Sequence, residues 1–215
     1  MTKRLILLAL LAAVTAFPQV LSVGVKGGVP FTDAFNTAKT GRLEYISDTK
    51  RYTVGPTVEL HLPFRLGIEF DALYKRLDFE STSSSVDVFT RTATTANSWE
   101  FPLLLKWRVF GGPIRPYVEG GPTFDKLSDI SQLARTILVP NRETSASTGH
   151  PPELQNTFRV GATVGAGIEL GSRRFRVSPE VRYTRWGWEN FQDLSGGSLL
   201  RSNDNQAEFL LGITF

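Results

Sequence analysis

The strongest constraint in this sequence of 215 residues is a series of eight segments in which apolar and polar residues alternate. Alternation with a period of two is typical of a β-strand whose two faces have different surroundings. Each segment has at least the roughly 9–11 residues that a tilted strand needs to cross a lipid bilayer. The segments are 21–29, 51–62, 66–79, 98–110, 115–124, 157–171, 174–186 and 206–215.

The connections between the segments alternate in length. Three joints are very short, with the sequences PFR, GGPI and SR. The other four are long and polar, and we predict them to be loops: 36–50, 80–97, 125–156 and 189–204. Residues 130–140 are less polar than the rest of the longest loop, and are a candidate for a short strand or helix over a barrel mouth. Short connections at one end and long ones at the other are typical of barrels that cross an outer membrane.

The first residues predict export. Lys3 and Arg4 precede an apolar run, and small residues follow it, which is the layout of a signal peptide over residues 1–16. The predicted domains are therefore this signal and one barrel domain over residues 17–215. The mature part keeps 22 basic and 21 acidic residues, so its charge gives no support to a nucleic-acid partner. The chain has no cysteine, so a lipid-anchored lipoprotein is excluded and no disulfide can stabilise the fold.

The composition of the two faces indicates which one points inward. One face is almost free of charge, whereas the other mixes charged residues with glycine. An eight-stranded lumen is just wide enough for side chains to fill, so small residues beside long charged ones fit inside it. We therefore predict an apolar face toward lipid and a cross-lumen network of ion pairs; a soluble lipocalin-like carrier is the alternative. The network is predicted to contain Glu59, Glu69, Asp71, Glu100, Lys106, Arg108, Glu119, Arg159, Glu169, Arg176, Glu180, Arg182 and Glu208, with Lys75 on the same face.

Aromatic residues mark both edges of the apolar face. Trp99 and Trp107 are eight residues apart, and so are Phe175 and Tyr183. Eight residues span about 26 Å of strand, or about 20 Å along the membrane normal after tilting. Two aromatic girdles at this separation are expected of a barrel in lipid. The predicted girdles are Tyr74, Trp99 and Tyr183 at one edge and Phe64, Trp107, Phe175 and Phe215 at the other.

The signal, the eight segments, the alternating connections and the final FLLGITF together resemble the small eight-stranded outer-membrane barrels of the OmpA/OmpX type. The resemblance implies an all-β, antiparallel, up-and-down transmembrane barrel in a bacterial outer membrane, with lipid and lipopolysaccharide as surroundings. In that group the barrel-assembly machinery reads the alternate apolar residues and the final aromatic of the last strand. The resemblance therefore implies an assembly signal at Phe209, Leu211, Ile213 and Phe215.

The function predicted from these features is a non-enzymatic structural or surface-interaction role, through a plugged barrel and external loops that could take an external ligand. Arg76 and Arg185 lie one step beyond a girdle tyrosine, and we predict that they contact lipid head-group phosphates. The alternatives are a narrow pore or small-ligand transporter, and a lipid A-modifying enzyme, because such enzymes exist on this scaffold. The two histidines, His61 and His150, do not form a clear catalytic set with serine and acid. No cofactor or metal site is predicted.

Overall fold

The computed structural model describes residues 20–40, 43–85, 88–138, 142–172, 175–193 and 199–215, so the predicted signal at 1–16 lies outside the described residues. Among the residues described, no helix is long and apolar enough to cross a membrane. The strands are β1 (Leu21–Pro30), β2 (Phe35–Thr37), β3 (Lys39–Thr40), β4 (Leu43–Ser47), β5 (Thr53–His61), β6 (Leu66–Asp71), β7 (Leu73–Ser84), β8 (Val88–Arg108), β9 (Ile114–Leu138), β10 (Arg142–Thr148), β11 (Phe158–Gly171), β12 (Arg176–Trp186), β13 (Leu200–Ser202) and β14 (Asn205–Thr214). A short turn, Pro63–Arg65, joins β5 to β6.

Eight antiparallel strands close into a barrel, with β6 and β7 together forming one of the eight. β1 pairs with β5 on one side and with β14 on the other, with Val29 opposite Phe209. The closing pair leaves the barrel without a free edge, which is the condition for burying strands in lipid. The structure therefore confirms the predicted eight-stranded barrel. Around the wall, the order is β1, β5, β6 continued by β7, β8, β9, β11, β12 and β14.

The third strand of the wall is interrupted at Ala72, between β6 and β7, although the sequence predicts one continuous segment over 66–79. The Ala72 amide donates to the carbonyl of Pro56 on the neighbouring strand at 3.0 Å. Pro56 has no amide hydrogen, so it cannot donate a hydrogen bond in exchange. On the neighbouring strand β8, the pairing places Pro102 beside the interruption, where it too lacks an amide hydrogen. The register is the same before and after the interruption, so the barrel wall continues through it.

The sheet extends well beyond the predicted strands at the end that carries the long connections. β8 has 21 residues and β9 has 25, and they stay paired up to Val88 opposite Leu138. The prediction that 80–97 and 125–156 are loops is therefore wrong for most of these residues, and 130–138 belong to β9. Threonine dominates this part of β8, and its branched Cβ favours strands even where both faces are polar. We call the parts of β7, β8 and β9 beyond Leu77, Ala96 and Leu127, together with β10, the outer extension.

The loop end of the barrel is closed by an apolar cluster, which we call the outer cluster. Phe35, Phe79 and Phe191 form its centre, with ring centroids 5.1 to 5.9 Å apart. The connections predicted as loops at 36–50 and 189–204 supply part of the cluster, and β2 pairs with β13 across them. The other buried members are Tyr45, Leu77, Ala96, Leu127 and Leu200.

Candidate functional site in the barrel lumen

All the residues predicted for the lumen network are buried in the structure, each with 5% or less of its surface exposed. Lys75, on the same face, is 6% exposed. The alternation of the strands brings them to the inner face, while lipid-facing neighbours such as Leu105 and Val164 are more than half exposed. Buried charges cost several kcal/mol unless they are paired, so their partners decide how the barrel is held together.

Arg182 is the centre of the network. Its guanidinium donates to Asp71 at 2.6 Å, to Glu69 at 2.5 Å and to Glu119 at 2.7 Å. It also lies 2.9 Å from Glu180 on its own strand. One arginine on β12 therefore links carboxylates on β6, β9 and β12 across the lumen. A guanidinium has five donors in a planar fork, which suits such multiple contacts.

Two lysines complete this central cluster from opposite walls. Lys26 on β1 donates to Glu180 at 2.9 Å and also bonds Glu69. Lys106 on β8 bonds Glu69 and lies 4.2 Å from the centre of the Tyr117 ring, whose hydroxyl donates to Glu180. We define the central cluster as Lys26, Glu69, Asp71, Lys106, Tyr117, Glu119, Glu180 and Arg182. Its side chains fill the lumen cross-section from wall to wall.

Glycines on the inner face give these long side chains their space. A Cβ added at Gly165 would lie 2.9 Å from Glu119 Oε1 and 3.1 Å from Arg182 Cγ. A Cβ added at Gly67 would lie 2.4 Å from Glu59 Oε1. The mixture of glycine and charge in the sequence is therefore a packing requirement of the lumen.

Toward the loop end, two smaller groups of polar contacts lie between the central cluster and the outer cluster. Lys75 pairs with Glu100, and Gln206 donates to Glu100 at 3.3 Å. Asp125 accepts bonds from Arg159 at 2.8 Å and from Asn190 at 2.8 Å. Asn190 lies in the connection between β12 and β13, so this contact ties that connection to the barrel wall.

Toward the short-turn end, arginine dominates. Arg108 donates to Glu169 at 2.7 and 2.9 Å and also bonds Glu59. Arg176 donates to His61 Nε2 at 2.8 Å and bonds Ser22 and Thr214. This group lies at the end of the lumen, where His61 and Arg108 also line an open cavity.

The predicted girdle residues lie on the outward face of the wall. Tyr74 is opposite Trp99, with ring centroids 5.3 Å apart, and Phe175 contacts Phe215 at 5.7 Å. Trp107 and Tyr183 are 48% and 42% exposed. In the last strand, Phe209, Leu211, Ile213 and Phe215 alternate with inward residues, so they share the outward face.

The two arginines predicted to contact lipid are both exposed, but their neighbours differ. Arg76 lies 3.3 Å from the carboxylate of Asp78, which offsets part of its charge. Arg185 donates to the amide oxygen of Asn205 at 2.7 Å, and the Tyr183 hydroxyl donates to the same atom. Arg185 therefore keeps its full charge beside a girdle tyrosine.

Sequence reasoning missed three members of the lumen network. Lys26 lies four residues after Ser22 on β1, so the alternation of the strand places both side chains on the inward face. The alternation in the sequence could therefore have identified Lys26 as a lumen residue. Tyr117 alternates in step with Glu119, but an aromatic residue on the polar face was not expected. Asp125 fell in a segment predicted as a loop, so its position in the wall could not be predicted from that assignment.

A closed eight-stranded barrel with an apolar outward face, aromatic edges and a charged lumen defines a bacterial outer-membrane β-barrel protein. The chain belongs to the outer membrane protein beta-barrel domain family, which matches residues 17–190. In barrels of this class the short turns face the periplasm and the long connections face outward. No curated protein matches the sequence significantly.

Solved structures of similar fold come from several bacteria. The outer membrane protein OprG from Pseudomonas aeruginosa matches with 13% identity and a TM-score of 0.49, over 91% of this chain and 93% of that chain. Neisserial surface protein A matches with 10% identity and a TM-score of 0.39, over 90% and 95%. The attachment invasion locus protein Ail of Yersinia pestis, solved with the heparin analogue sucrose octasulfate, matches with 11% identity and a TM-score of 0.38, over 92% and 100%.

Proposed function

We propose that this outer-membrane protein is non-enzymatic and acts at the cell surface, through a barrel with a closed lumen and a rigid outer extension. The observation that carries the proposal is the pair of barriers inside the barrel. The central cluster fills the lumen with paired charges, and the outer cluster covers the external mouth with apolar side chains. A barrel closed in this way presents its outer surface, rather than a channel, for function.

Conductance in a planar bilayer tests the closed lumen. We expect the purified protein to insert without discrete current steps, because eight-stranded lumens are filled by their side chains. Heat-modifiable migration on a detergent gel would show that the inserted protein is folded. Steps that change in size in Arg182→Met or Glu100→Gln would contradict the closed lumen, because they would place the current path through these groups.

The outer extension is the surface best placed to meet an external ligand. β8 and β9 remain hydrogen-bonded for about ten residues beyond the outer girdle, so the extension is an ordered sheet. Its outward face combines three exposed apolar residues, Phe89, Leu133 and Ile137, with Arg91 and Arg135. Apolar side chains flanked by arginines are typical of protein-binding surfaces.

A variant with a shortened extension tests the surface role. Residues 81–93 and 133–147 would be replaced by tight turns, which keeps the barrel strands and the outer cluster. In a strain that lacks the gene, we expect the full-length protein, but not the shortened one, to restore cell adherence to surfaces. The role would be wrong if a shortened protein that inserts normally restored everything that the full-length protein restores.

We further propose that the barrel binds lipopolysaccharide through Arg185, with Arg76 contributing less because Asp78 offsets its charge. Both arginines are exposed and each follows a girdle tyrosine, Tyr74 or Tyr183, which supports a position near head-group phosphates. The double variant Arg76→Gln/Arg185→Gln should retain less lipopolysaccharide on purification, whereas Arg135→Gln should not. Equal retention in all three proteins would refute this contact.

Two other functions stay as alternatives with their own tests. A narrow pore or small-ligand transporter would show as conductance in the bilayer experiment above. A lipid A-modifying enzyme would show as altered lipid A acylation when the gene is deleted. The contacts of His61 give that alternative no support, because its ring nitrogen accepts from Arg176 and faces Arg108, and neither is a catalytic nucleophile.

A further inference from the structure

The periplasmic mouth of the barrel is an open cavity of about 570 Å³. It lies between the three short turns, and its walls include His61, Arg65, Arg108 and Arg115. We call this cavity the periplasmic vestibule. It differs from the outer mouth, where buried apolar side chains pack against one another.

Positive charge exceeds negative charge around the vestibule. Arg108 and Arg115 pair with Glu59 and Glu169, whereas in the ranges that the structure describes no carboxylate lies within ion-pair distance of Arg65 or Arg176. Both carboxylates also lie within 3.9 Å of the ammonium group of Lys106 in the central cluster, so part of their negative charge is offset by that lysine. Among the described side chains at this end, four arginines therefore face two glutamates, Glu59 and Glu169.

Arg176 and His61 show where the deficit is greatest. Arg176 is 3% exposed, and in the described part of the chain no carboxylate lies within ion-pair distance of it. It donates to His61 Nε2, so that nitrogen must accept and the ring proton must lie on Nδ1. His61 Nδ1 is itself buried without a hydrogen-bond partner, and Arg115 Nε has an ion-pair contact of 3.5 Å with Glu169 but no hydrogen bond. Buried donors without acceptors at one site are unusual in a folded protein.

The rim of the vestibule is built to hold arginine in place. Phe64 and Arg65 both have left-handed backbone, with φ of 63° and 65°. Residues other than glycine rarely adopt this conformation, and they tend to do so at functional sites. The turn brings Arg65 to the neighbouring turn, where its guanidinium donates to the carbonyl of Val109 at 2.8 Å. That bond uses one of the five guanidinium donors, and Arg65 is also part of the cavity wall.

From this geometry we infer that the periplasmic vestibule is a binding site for a phosphate group, carried either by a soluble phosphate compound or by a lipid of the inner leaflet. A phosphate monoester carries a charge of about −1.5 to −2 at neutral pH and a lipid phosphodiester carries one negative charge, so either would offset the excess of arginine over glutamate. Arginine forks bind phosphate oxygens with paired hydrogen bonds. Arg65 and Arg115 are the residues with donors to spare at the cavity wall, and Arg108 and Arg176 supply the positive potential behind them.

Titration of the refolded protein in detergent with inorganic phosphate tests the site. We expect saturable binding in the wild type, weakened about tenfold or more in the double variant Arg65→Gln/Arg115→Gln. Arg115→Lys should lie between the two, because it keeps the charge and loses the fork. Arg51→Gln, which changes an exposed arginine at the opposite end of the barrel, is the matched control and should bind as the wild type does. Heat-modifiable migration checks that each variant is folded.

Nanodiscs distinguish the two sources of phosphate. If the ligand is soluble, phosphate should bind equally well in discs of phosphatidylcholine with and without phosphatidylglycerol. If it is a lipid, phosphatidylglycerol should compete with inorganic phosphate and should co-purify with the wild type but not with the double variant. Binding that is unchanged in the double variant, or the absence of both phosphate binding and lipid retention, would overturn the inference.

Discussion

Replacement of Arg182 by methionine tests whether the central cluster holds the barrel together. Methionine keeps most of the volume but removes the three hydrogen bonds of 2.5–2.7 Å to Glu69, Asp71 and Glu119. Hydrogen bonds to charged groups contribute about 1.5–3 kcal/mol each, and breaking a buried ion pair costs about 3–5 kcal/mol. Because Arg182 serves several carboxylates at once, we expect the upper end of that range, about 5 kcal/mol.

Urea unfolding in detergent micelles, followed by tryptophan fluorescence and by gel migration, would measure this loss. Lys26→Met removes the same formal charge from the cluster but fewer carboxylate contacts, so it should cost less than Arg182→Met. Arg135→Met, in the exposed outer extension, should change the free energy of unfolding by less than about 0.5 kcal/mol. If Arg182→Met unfolds within 1 kcal/mol of the wild type, as judged by both probes, the assignment of Arg182 as the centre of the network is refuted.

Three further predictions concern packing and the outer cluster. Gly165→Ala should destabilise the barrel by about 1–3 kcal/mol, because its Cβ would press on Glu119 and Arg182, whereas Gly111→Ala, with open space around it, should be neutral; urea unfolding compares them. Phe191→Ala removes a ring that is 1% exposed and should make the outer connections about 3–5 kcal/mol easier to open, which protease treatment of intact cells would detect, with Phe89→Ala as the exposed control. Burial and the nearby carboxylates of Glu153 and Asp193 raise the pKa of Tyr45 from 10 to about 12, so the stability that the neutral hydroxyl contributes is fully present below pH 10 and is lost as the pH rises from 10 to 12. Protease sensitivity of the outer cluster should therefore increase over that range, and the rise should be smaller in Tyr45→Phe.

Much of the wall could be predicted from sequence because lipid and lumen impose opposite demands on alternate residues. Leu103 and Leu105 face outward and Lys106 and Arg108 face inward, as the alternation predicts. Beyond the girdle the outward face no longer meets lipid, and polar residues such as Thr94 and Gln132 are among the buried ones, so the alternation in hydropathy is weak while the hydrogen-bonded sheet continues. That is why β8 and β9 were predicted too short, with Asp125 assigned to a loop directly after the last clearly alternating residue.

The pairing inside the lumen could not be predicted for a different reason. Alternation tells which face a residue occupies, but contacts across the lumen depend on the relative heights of strands far apart in the sequence. Arg182 and Asp71 are 111 residues apart, and their contact requires the register of every strand between β6 and β12 on one side of the barrel. The same holds for Arg176 and His61, whose contact joins β12 to β5.

The barrel is closed at its outer end and at its centre by different physical means but is open at its periplasmic end, and this asymmetry links the proposals. The outer cluster excludes water with apolar rings, whereas the central cluster fills the lumen with charges that must stay paired. The periplasmic vestibule is open and has an excess of arginine. A continuous pore would need both barriers to open, because they lie in series, and loss of only one would leave the other in place. A ligand from the periplasm, by contrast, reaches the vestibule without disturbing either barrier, so phosphate binding there is compatible with a barrel that never conducts.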